Sequence, residues 1–143
     1  MKFLWNDEDV KRFDMGMLFL RVAIGVMMFF HGLPKMRGGP ERWEKLGGAM
    51  THLGIDFMPA MWGFMAAFAE TGAALLVVAG LFYRPALLLL ISTMIVATAM
   101  HLGKGDGFVG YSRPIEMGIV FIAMFILGAG KHSLDARIFS PKK

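Results

Sequence analysis

A chain of 143 residues, 56% of them hydrophobic and only 18% charged, is the length of one domain and too apolar to be coated by water as a soluble fold of that size. Long apolar runs between short charged loops predict an integral membrane protein, and the net charge of +4 is scattered over loops and ends rather than collected into the basic stripe that nucleic acid requires. Cysteine is absent, which excludes disulfide and thiolate chemistry and cysteine-ligated zinc or iron–sulfur clusters within the chain, so any redox role must use a bound cofactor or a partner.

The N-terminal stretch places Asp7, Glu8, Asp9 and Asp14 ahead of the first apolar run, and no small-residue cleavage site follows. The first span is therefore expected to be retained as a signal anchor. Four segments have spanning character, about 15–33, 59–80, 85–101 and 114–130. Pro59, Pro85 and Pro114 stand at or near the starts of three of them, where a missing amide proton would be unpaired anyway. Only residues 81–84 join the second and third segments, which predicts a tight antiparallel pair.

The loop from Pro34 to Met58 carries Trp43, Leu46, Met50 and Leu53 at helical spacing beside Glu41, Arg42, Glu44 and Lys45, the pattern of a short helix in the interface plane. The glycine-rich stretch from Leu102 to Arg113 is expected to be a loop, mobile or folded over a site. The predicted fold is an all-α membrane protein: one domain over residues 1–143, four transmembrane helices in an antiparallel bundle, and an interfacial helix between the first and second. An even number of spans puts both termini on one side, and a small excess of Lys and Arg there points to the cytoplasm.

Ionisable residues at membrane depth are costly and normally paired. Arg21 lies about twelve residues before the end of the first span and Glu70 about eleven after the start of the second, so the two are expected at one height as a buried ion pair. Gly63, Ala67, Glu70 and Ala74 follow a close-contact helical stripe that turns Glu70 away from lipid. His31 and Lys35 end the first span where His101 ends the third and Glu116 begins the fourth, which predicts a shared rim.

The expected site is thus a polar pocket in one half of the bundle. Arg21, Glu70, His101 and Glu116 are the candidates for proton transfer and charge stabilisation, and His31 and Lys35 those for holding a ligand. A register-fixing ion pair is the structural alternative for Arg21 and Glu70. Haem ligation by His31 and His101 would need imidazoles from facing helices, and no local spacing builds a metal site, so no metal is expected. Phe19, Phe29 and Phe30 read first as packing residues, though aromatics beside a polar pocket would suit a quinone ring.

Four stretches carry a resemblance. LRVAIGVMMFFHGLPKM at 20–36, FAETGAALLVVAGL at 68–81, His101, and RPIEMGIVFIAMFILGAGKHSLD at 113–135 resemble the DoxX family of small membrane proteins. The most specific parts are the Arg followed by HGxxK, the Glu of the second span, and the closing Gly128, Gly130, Ser133, Leu134 and Asp135. The resemblance implies a four-helix inner-membrane protein associated with oxidoreductase systems, among them a membrane subunit of thiosulfate:quinone oxidoreductase. It also implies quinone as a ligand and a redox protein as a partner, in contact with the lipid bilayer and compatible with a homo-oligomer. The resulting expectation is a quinone-interacting membrane subunit. The alternative is a non-catalytic anchor or assembly subunit.

Overall fold

The structure, a computed structural model, describes residues 6–139. Helix α1 runs Asp7–Arg37, α2 Gly39–Gly47 with a 3₁₀ turn at Gly48–Leu53, α3 Pro59–Ala79, α4 Tyr83–Gly103, α5 Phe108–Leu127 and α6 Leu134–Phe139. Helices α1, α3, α4 and α5 are long and apolar enough to cross a membrane, and no strand occurs among the described residues.

Helix α1 starts earlier than its apolar run. Asn6 accepts from the Asp9 amide at 2.9 Å and Asp9 accepts from the Asn6 amide at 3.3 Å, a reciprocal cap, while Asp7, Glu8 and Asp9 meet the positive end of the helix dipole. The acids before Met15 are therefore the first turns of the helix. Its buried residues, Asp14, Met17, Arg21, Gly25, Met28 and Gly32, recur at intervals of three and four and form one face.

That face packs antiparallel on α3, where Gly63, Ala67, Glu70 and Ala74 are all buried as the stripe predicts. Gly25 lies against Ala74 and Val78, and a Cβ at Gly32 would stand 2.6 Å from the carbonyl carbon of Glu70. Small residues let the two backbones approach. At the other end of α3, Gly47 abuts the carbonyl of Pro59 and Gly63 abuts the carbonyl of Trp43, so α2 crosses α3 with no space for a side chain at either position. The Trp43 indole donates to the Lys35 carbonyl at 3.1 Å and meets Phe64 edge-on with ring centroids 5.0 Å apart, which ties α2 to α1 as well.

Helices α4 and α5 also pair antiparallel, Gly118 facing Met94 and Gly110 facing His101 and Asp106. The core where α1, α3, α4 and α5 meet includes Met28, Val77, Tyr83, Leu87, Leu90, Phe121 and Met124. Two boundary expectations are corrected here. Pro114 does not open α5 but lies inside it, and the expected loop from Leu102 to Arg113 is mostly helix, leaving only residues 104–107 between α4 and α5. Four residues cannot fold over a site.

The closing motif clamps the terminal end of the bundle. The Asp135 carboxylate accepts from the Phe82 and Tyr83 amides, each at 2.9 Å, and the Asp135 amide donates to the Gly80 carbonyl at 2.9 Å. It thereby satisfies two amides at the start of α4 and holds the α3–α4 turn, in which Phe82 takes a left-handed φ of 45°. Ser133 donates to the Gly130 carbonyl at 2.7 Å and accepts from the Ala136 amide at 3.1 Å, while Asp14 accepts from the Lys131 amide at 3.0 Å.

Candidate functional site

Glu70 sits on an irregularity. Residues Ala69–Ala73 form a π turn within α3, and the Thr71 hydroxyl donates to the Ala67 carbonyl at 2.7 Å, diverting an acceptor that a regular helix would use. The widened turn presses Glu70 toward α1, where Gly32 offers no side chain to obstruct it. Lys35, one turn beyond Gly32, leans back along α1 as helical side chains do and donates Nζ to Glu70 Oε2 at 2.5 Å. The Glu70 side chain is 5% exposed and that of Lys35 19%. The pair is short, charge-assisted and largely withdrawn from solvent.

The partner of Glu70 is therefore Lys35 and not Arg21. Arg21 is 2% exposed and donates Nη1 to the Val78 carbonyl and Nη2 to the His132 carbonyl, both at 2.7 Å. A Cβ at Gly80 would meet its Nη1 at 2.5 Å, so glycine there makes room for the guanidinium as well as supplying a φ of 67°. Arg21 joins the end of α3 to the C-terminal segment. The expected ion pair fails on register: Gly32 is level with Glu70, and Arg21, eleven residues earlier on α1, lies beside the C-terminal end of α3, where its guanidinium meets the Val78 carbonyl and Gly80, out of reach of Glu70. We expect Arg21→Met to cost about 3 kcal/mol, since two buried carbonyls lose a charged donor. Thermal unfolding in detergent measures it, and a melting midpoint like that of the unmutated protein would refute the clamp.

The expected rim is corrected too. His31 lies on an exposed face of α1, and Glu116 is exposed on α5. His101 Nδ1 lies 2.5 Å from Asp106 Oδ2 at the α4–α5 connection. Of the six predicted site residues, only Lys35 and Glu70 line one common cavity. With His31 turned outward and His101 engaged by Asp106, the two imidazoles do not face each other as haem ligation requires. No three His, Asp or Glu side chains gather among the described residues.

That cavity, of about 530 Å³, lies between α2 with its 3₁₀ turn, α3 and α4. Leu46, Met50, Trp62, Met65, Leu89 and Met100 help make its walls largely apolar, the Lys35–Glu70 pair forms a polar patch, and Arg42, Lys45 and Lys104 also line it. Sequence reading missed the contribution of α4. Leu89, Thr93, Val96, Met100 and Lys104 recur at intervals of three and four with hydroxyl and ammonium groups among apolar residues, a signal available from periodicity. An ammonium offers hydrogen-bond donors, and its paired carboxylate can take or return a proton at the surface of the apolar cavity.

Fold and site together define a small four-span membrane protein whose amphipathic second helix closes an apolar cavity against the second and third spans. The chain belongs to the DoxX family, whose model matches residues 16–102, from α1 through nearly all of α4, with both Lys35 and Glu70 inside the match. It is also similar to the inner membrane protein YphA of Escherichia coli (strain K12), at 28% identity over 144 residues, covering 91% of this chain and 99% of that protein. No solved structure matches the chain.

Proposed function

We propose that the chain is an inner-membrane subunit of an oxidoreductase system and holds a quinone at the Lys35–Glu70 pair. The observation that carries this reading is a short, largely buried ammonium–carboxylate pair on the wall of an otherwise apolar cavity of about 530 Å³, within the range of small-molecule sites. Membership of the DoxX family and the name of the Escherichia coli relative agree with the membrane setting. A bound quinone would supply two-electron, two-proton redox chemistry. The chain's own contribution would be to bind and to move protons: Trp62, Met65 and Leu89 would enclose an apolar ring, the Lys35 ammonium would donate to a carbonyl oxygen, and the Glu70 carboxylate would relay a proton to it. With no cysteine in the chain to hold an iron–sulfur cluster or form a redox disulfide, the electrons would come from a partner or a soluble reductant.

Trp62 lines the cavity and reports occupancy. Titration of the purified protein with short-chain ubiquinone and menaquinone analogues is expected to quench its fluorescence saturably, and Glu70→Gln to weaken the binding about tenfold, the loss of one hydrogen-bonded charge. Absence of saturable binding for both quinones overturns the reading.

A further inference from the structure

The mouth of the cavity carries charge that a neutral ring leaves unused. Four cations, Lys35, Arg42, Lys45 and Lys104, line it against one carboxylate, Glu70, which Lys35 already occupies. Arg42 and Lys45 come from α2 and Lys104 from the C-cap of α4, so like charges are brought to one mouth by two elements. Glu41 and Glu44, on the same short helix, do not line the cavity. Among the described residues no carboxylate lies within salt-bridge distance of Arg42, Lys45 or Lys104.

We propose that this mouth seats the phosphate of an anionic phospholipid, with its acyl chain entering along Leu46, Met50 and Met100. A cationic mouth over an apolar wall is complementary to a phosphodiester joined to hydrocarbon, and the bilayer supplies both at the level of an amphipathic helix and the last turn of a span. Free phosphate would satisfy the charges but leave the apolar wall uncovered, whereas a zwitterionic lipid brings its own cation to the mouth. Bound there, the lipid cancels repulsion between α2 and α4 and holds α2 in place. The inference rests on reading the cavity as a ligand site, but not on the ligand at Lys35–Glu70 being a quinone.

Native mass spectrometry of the protein, released from neutral detergent containing equal phosphatidylglycerol and phosphatidylcholine, tests this. The expected result is retention of phosphatidylglycerol with about tenfold preference or more, which the combined change R42Q, K45Q and K104Q abolishes and R113Q, an exposed cation of α5 outside the cavity, leaves intact. Circular dichroism and a monodisperse elution in the same detergent show that the triple variant is folded. Equal retention of the two lipids, or a preference that survives the triple change, overturns the proposal; so does a rise in melting midpoint with inorganic phosphate as large as that with phosphatidylglycerol. If the unmutated protein keeps the lipid preference but binds no quinone, the quinone reading fails and the lipid site stands.

Discussion

Lys35→Met is expected to lower the melting midpoint of the detergent-purified protein by about 10 °C, while the double change Lys35→Met with Glu70→Met recovers most of the loss. Breaking a buried pair from one side leaves an uncompensated charge at a cost of roughly 3–5 kcal/mol, and a domain near this size loses roughly 2–4 °C per kcal/mol. Replacing both partners by unbranched apolar side chains removes the desolvation penalty along with the attraction. Exposure also sets an asymmetry. Glu70 is 5% exposed and pinned on the π turn, whereas Lys35, at 19%, can carry its ammonium outward. Glu70→Gln should therefore destabilise less than Lys35→Met. Equal midpoints for Lys35→Met and the double variant would show that the pair is not coupled in the folded state. A stable double variant that still binds quinone normally would reduce the pair to a structural device.

The second large effect concerns the seat of α2. Gly63→Ala is expected to destabilise the protein by about 3 kcal/mol or more and to detach α2 from α3. Alanine in a helix gains about 1 kcal/mol over glycine from propensity, but overpacking a tight contact costs 1–3 kcal/mol and occasionally more. Here the new methyl would press on the Trp43 carbonyl, part of a helix that can yield only by leaving. The overpacking term wins. Gly16→Ala provides the control, because nothing lies within 4 Å of the added Cβ and only the propensity gain remains. A red-shifted Trp43 emission and faster proteolysis between residues 38 and 58 would accompany Gly63→Ala alone. Gly63→Ala melting like Gly16→Ala would contradict the close crossing.

Much of the bundle was legible because the bilayer demands long apolar runs, and those runs stand out between charged connections. The stripe through Gly63, Ala67, Glu70 and Ala74 was legible for a related reason: close helix contact needs small residues at helical spacing. The site was half legible. Lys35 and Glu70 stood out as charges near apolar spans, but the choice of partner depends on the register between α1 and α3. That register turns on the close approaches of Gly25 and Gly32 to α3, which the hydrophobic pattern does not mark.

The number of spans, the membrane setting, the family resemblance and the buried face of α3 were thus legible in residue order alone. Each follows from local composition and periodicity, quantities that neighbouring residues already contain. Tertiary structure alone decided that Arg21 serves backbone carbonyls of α3 and the C-terminal segment, that Glu70 belongs to Lys35, and that the cavity opens between α2, α3 and α4. A helix sliding by two turns keeps its buried face but changes every partner on it. The packed glycines, with the Lys35–Glu70 pair and the Arg21 bond to the Val78 carbonyl, hold one register against the others.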